Sequence, residues 1–86
     1  VASDNVGLNW LFLGDRSSLI GKTVADSKLR EESGASIVAI SRHSGLISNP
    51  DPKTKLLIGD VIGLIGDEDQ LGKAEKMLKS ILPSAS

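Results

Sequence analysis

The sequence predicts an α+β fold: a small, mostly antiparallel sheet of three to five strands with two helices packed on it, in the order β-α-β-β-(β)-β-α. Three observations carry this reading. Short runs rich in apolar and β-branched residues stand at Ser36 to Arg42 and Val61 to Ile65, the length and composition of strands. Apolar residues recur at helical spacing through Leu71, Ala74, Leu78 and Ile81 or Leu82. Helix-start signals stand at Thr23 and Asp67, each ahead of a helical stretch.

The elements follow in order. Val1 to Gly7 is mixed and polar and reads as a leader or flexible end. Leu8 to Leu13 is a strand candidate stopped by Gly14-Asp15. Alternation puts Leu8, Trp10 and Phe12 on one face and Leu11 and Leu13 on the other. Both faces are apolar, so this strand should be covered on both sides. Thr23 then caps a helix from Val24 to about Ser33, with Asp26 in the third position of a weak capping box and Gly34 as the left-handed stop. With only Val24, Ala25 and Leu29 apolar, that helix should lie on the surface and cover one sheet face.

Ser36 to Arg42 is the next strand, and Ser44-Gly45 turns it into a short return strand beginning Leu46-Ile47. Pro50 and Pro52 force an extended path after it. Lys55 to Ile58 is the optional strand. Val61 to Ile65 is the most apolar segment and the predicted central strand, where Gly63 marks a close approach or a tight packing point. The last helix begins at Asp67 and ends before Pro83, and Pro83-Ser84-Ala85-Ser86 reads as a natural C-terminus. The domain is thus expected over residues 8–82, with flexible ends at 1–7 and 83–86.

Composition narrows the function classes. The chain has 86 residues, and Ile, Leu and Val together number 25. A domain this small buries only about 60–65% of its unfolded surface, so a partner would help it. Cysteine is absent, which excludes disulfides and thiolate metal sites. Ten basic against eleven acidic residues give a net charge of −1, unlike a binder of nucleic-acid polymers. With Trp10 and Phe12 the only aromatics, base-stacking platforms are nearly absent. No apolar run approaches the roughly 20 residues of a membrane span, so no direct membrane insertion is expected.

Several motifs have a plain structural reading. Gly21-Lys22-Thr23 resembles the tail of a phosphate loop, but Arg16 stands where that loop needs glycine. It is a helix start. Gly59, Gly63 and Gly66 miss the dinucleotide spacing because Val61 replaces a required glycine. Asp67 and Asp69 with Gly72 partly match a calcium loop, yet the twelfth position is Leu78 instead of a bidentate glutamate. Carboxylates there favour a helix start through the dipole. His43 is the only histidine, so neither a zinc site nor a Ser-His-Asp arrangement is assembled. No catalytic residue and no metal ligand is predicted. The segment Ser48 to Thr54, beside Arg42 and His43, combines a rigid proline-shaped rim with apolar strand residues, the makings of a ligand pocket.

One ordered series of segments carries a resemblance. It runs Ser18-Leu19-Ile20-Gly21-Lys22-Thr23, Leu29-Arg30-Glu31, Gly34 to Arg42, Asn49-Pro50-Asp51-Pro52 with Thr54, and Gly59-Asp60 through Gly66. Over roughly Leu8 to Leu82 it resembles the TrkA C-terminal domain, also called the RCK C-terminal domain. The resemblance implies a non-enzymatic module that requires no cofactor and pairs as a homodimer. It implies a place on the cytoplasmic face of the membrane, attached to a prokaryotic potassium or cation channel, transporter or cation/proton antiporter, in the same chain or as a separate subunit. It implies a regulatory ligand, cyclic di-AMP in some members, at the dimer interface. Carried onto this chain, the ligand residues are Ile37, Val38, Ala39, Arg42, His43, Asn49 and Pro50, with either Arg42 or His43 as the main phosphate contact. The alternative function is a structural dimerisation module with no ligand of its own.

Overall fold

The structure is a computed structural model and describes residues 6–79. Strand β1 spans Gly7–Phe12, helix α1 Val24–Ser27, helix α2 Leu29–Ser33, strand β2 Ser36–Arg42, strand β3 Gly45–Ser48, strand β4 Val61–Gly66 and helix α3 Glu68–Lys79. The four strands form one antiparallel sheet in the order β1-β4-β2-β3. The fold is therefore α+β, and the segment 61–65 is central as its sequence predicts. Ile81, Leu82 and the proline stop, together with most of the predicted flexible ends, lie outside the described residues.

The helical stretch predicted over 24–33 is present but divided. Thr23 Oγ1 accepts the Asp26 N–H at 3.0 Å, as an N-cap should, and Gly34 closes the stretch at φ 84°. Between the two helices Lys28 takes a left-handed backbone, φ 56°. The cause lies one residue earlier. The buried Ser27 hydroxyl donates to the Val24 carbonyl and accepts the Leu29 N–H, so a side chain supplies local hydrogen bonds that turn the backbone. The optional strand at Lys55 to Ile58 shrinks to a single bridge between Thr23 and Lys55. Around that bridge the backbone pairs with 21–25, where Gly21 N–H donates to the Leu56 carbonyl, Leu56 N–H to that of Lys22 and Val24 N–H to that of Thr54, while side chains take the Lys55 carbonyl and the Leu57 N–H.

The helices lie on one face of the sheet. Helix α3 packs on β1 and β4, while α2 packs on α3 and β2. Leu13, Leu29, Ile40, Leu56, Ile62, Leu64 and Leu78 are fully buried between them. The α3 cap is reciprocal: Gln70 N–H donates to Asp67 Oδ1 and Asp67 N–H to Gln70 Oε1, both at 2.8 Å. Asp67 therefore serves the helix start.

The opposite face of the sheet reads as three rows of paired residues. Phe12, Val61, Ser41 and Leu46 form the first. Trp10, Gly63, Ala39 and Ser48 form the second, and Leu8, Ile65 and Ser36 the third. Here one expectation fails. β1 is not covered on both sides by its own chain, because the described residues place every helix on the other face and leave Leu8, Trp10 and Phe12 exposed.

Candidate functional site

β2 carries most of the predicted ligand residues, and its register decides where each one points. Val38 is an extra residue, since Ile37 pairs with Leu64 while Ala39 pairs with the preceding residue of β4, Gly63. On its other side Val38 continues the β2–β3 register by one rung, and its carbonyl accepts the Asn49 N–H at 2.8 Å. Asn49 itself sits at φ 49°, a left-handed conformation that asparagine tolerates well. The Asn-Pro turn is thereby pinned against the start of β2.

This brings Ile37 and Pro50 together. Both are half-buried, and both line a cavity of ≈ 300 Å³ whose far wall is Val24, Ala25 and Leu29. Arg30, Glu31 and Ser36 also border it, three residues that the sequence reading does not name for a ligand. The only signal for Arg30 was its place in the Leu29-Arg30-Glu31 segment, and the break at Lys28 is what sets α2 beside the Asn-Pro turn. Ala39 does not join this group. It is buried on the opposite face of the sheet, in the row of Trp10 and Gly63.

The other end of β2 lies about 17 Å from Ile37, at the usual rise of a strand. Arg42 there is already engaged. Its Nε donates to Asp60 Oδ1 at 2.9 Å, and its Nη2 donates to Asp60 Oδ2 at 3.0 Å and to the Lys55 carbonyl. Asp60 is 2% exposed, and its Oδ2 also accepts the Leu57 N–H at 2.8 Å. The guanidinium is thus a fork that closes the turn 57–60 onto the sheet. His43 follows in the exposed hairpin turn, beside a shallow hollow of ≈ 320 Å³ shared with Leu57 and Ile58. Of the two residues that the resemblance offers for a phosphate, Arg42 holds a buried carboxylate and His43 faces solvent.

The model of the TrkA-C domain family matches residues 10–79. The chain belongs to that family. Over 70 residues it is 31% identical to Potassium channel protein 1 of Methanocaldococcus jannaschii, covering 81% of this chain and 21% of that protein. It therefore spans about a fifth of that relative's length. Among solved structures it is similar to the RCK_C domain dimer of S. agalactiae BusR in complex with c-di-AMP. The TM-score is 0.77 at 27% identity, covering 83% of this chain and 93% of that one. BusR is also known in complex with its busAB-promoter DNA, where the likeness covers 35% of the BusR chain. It is similar as well to the RCK C domain of the potassium transport protein KtrA in complex with c-di-AMP. There the TM-score is 0.75 at 30% identity, with 86% and 85% of the two chains covered. The α+β sheet of this TrkA-C chain matches the sheet of its RCK_C neighbours.

Proposed function

We propose that this TrkA-C domain is a non-enzymatic, cytoplasmic ligand sensor of a prokaryotic potassium or other cation transport protein, working as a dimer that binds cyclic di-AMP between its protomers. The observation that carries this is the pinned Asn-Pro turn: Asn49 bonded to the bulged Val38 sets Pro50 beside Ile37 in an aliphatic cavity. Such walls suit the apolar face of a purine, and a two-fold ligand suits two copies of one site. Likeness to two domains known with c-di-AMP supports the choice of ligand. His43 is the phosphate contact of this proposal, because Arg42 is committed to Asp60. A net charge of −1 speaks against a nucleic-acid polymer as the partner of this domain.

The test is calorimetric titration of the chain with cyclic di-AMP, with ATP, NADH and calcium in parallel. Binding near one dinucleotide per dimer, weakened about tenfold by His43→Ala or Asn49→Ala, is the expected result. No heat from a folded dimer would leave an assembly module in its place.

A further inference from the structure

The sheet face turned away from the helices is apolar, open and uncharged. None of the eleven residues in its three rows is ionisable. Leu8 is 51% exposed, Trp10 47%, Phe12 65%, Leu46 64% and Ile65 38%. The Trp10 ring lies over Gly63: a Cβ built there would stand 3.0 to 3.3 Å from three of its ring carbons. One side of the indole is thus seated on backbone while the other is bare. Contiguous apolar surface on this scale marks an interaction site.

We infer that this face is a second self-association surface, closed by the same face of another copy of the chain. Three features select a copy as the occupant. A two-fold contact sets each residue near its own equivalent, which a charged centre would oppose and this neutral one permits. Antiparallel sheets stack face to face about 10 Å apart with their apolar side chains interleaved, and the three rows present such a surface. The five exposed residues offer at most on the order of 600 Å² per protomer, so full mutual coverage by two copies would bury roughly 1,200 Å², the lower bound of a specific interface.

This contact is separate from the ligand-bearing one. Ile37 and Pro50 border α1 and α2 on the helix side of the sheet, whereas Trp10 and Phe12 stand on the reverse. Resting on the proposed ligand dimer, the consequence is that two such dimers pair sheet to sheet into a tetramer.

The experiment is a dilution series of the 86-residue chain, followed by sedimentation velocity and by emission from Trp10, its sole tryptophan. Emission is expected to move to shorter wavelength as concentration rises and the tetramer forms. Phe12→Glu and Leu46→Glu, both at exposed positions, should each raise the dissociation constant of this step at least about tenfold. Both should leave the dimer and its c-di-AMP heat intact, with circular dichroism confirming the fold. Constant Trp10 emission across the series would overturn the inference. So would variants that sediment like the parent, or variants that lose dimer and ligand heat together, since the two contacts would then be one. A shift produced by lipid vesicles but not by protein concentration would assign the face to a membrane surface and reject the copy. If the parent gives no c-di-AMP heat while Phe12→Glu still removes an association step, the ligand reading fails and the sheet contact stands.

Discussion

Arg42→Ala separates a structural arginine from a ligand-binding one. The substitution removes three donated hydrogen bonds, two to Asp60 and one to the Lys55 carbonyl. Asp60 is left 2% exposed with the Leu57 N–H as its remaining donor. Breaking a buried pair from one side costs about 3–5 kcal/mol, because a charge stays buried without its partner. The Arg42 side chain is 19% exposed, so water can reach part of the gap, which lowers the figure to about 3 kcal/mol. That is a large share of the roughly 5–15 kcal/mol that holds a small domain together. The assay is urea denaturation at one fixed protein concentration, since association contributes to the apparent stability. With a slope of about 1 kcal/mol per molar urea, the midpoint should fall by about 3 M. Asp60→Ala should cost a similar amount, and the double variant less than the sum by about 2 kcal/mol, the signature of direct coupling. The reasoning is refuted if Arg42→Ala stays within about 0.5 kcal/mol of the parent while cyclic di-AMP binding disappears. Arg42 would then be the phosphate contact and its bond to Asp60 incidental.

Other predictions concern the elements that frame the site. Gln70→Ala removes one half of the α3 cap and should lower stability by about 1 kcal/mol, read as a drop in the thermal midpoint by circular dichroism. Lys28→Gly relieves the left-handed residue between α1 and α2 and should raise stability by about 0.5–1 kcal/mol, whereas Lys28→Val should lower it. Gly63→Ala places a methyl 3.0 Å from the Trp10 ring and must displace it, so emission should move to longer wavelength with a stability change of about 1 kcal/mol.

What was legible in the sequence was local. The bounds of β2, the caps at Thr23, Gly34 and Asp67, and the central place of β4 each follow from a few adjacent residues. Composition there leaves little choice. What was not legible depends on residues distant in sequence. Arg42 and Asp60 are 18 positions apart, and no pattern around either announces that one holds the other. The Val38 bulge is a register effect, set by what β4 offers and not by Val38 itself. The division of the first helix turns on a Ser27 hydroxyl that has to be buried before it competes with the helix. Ala39 shows the same limit: the resemblance names it together with Ile37 and Val38, and the bulge sends it to the other face.

β1 shows how a sequence expectation that fails within one chain still carries information. Leu8 to Leu13 is apolar on both sides, which is the pattern of a strand with two covers. Helix α3 supplies one cover, and Leu11 and Leu13 pack beneath it in the core cluster. Among the described residues the other side stays half-exposed, with the Trp10 ring resting over Gly63. A leucine, a tryptophan and a phenylalanine held half-exposed forgo several kcal/mol of burial, at about 25 cal/mol per Å². A small domain recovers that free energy by joining its open face to a second surface. Under the proposed function, a ligand at Ile37 and Pro50 would act on the opposite side of the sheet from Trp10, and a change in sheet twist would carry its effect to the second contact. It can shift that contact only by the difference in its affinity for the two assemblies. Titrating cyclic di-AMP while recording Trp10 emission measures that difference directly: an emission midpoint that moves with ligand shows the two contacts to be coupled, and one that stays fixed shows them to be independent.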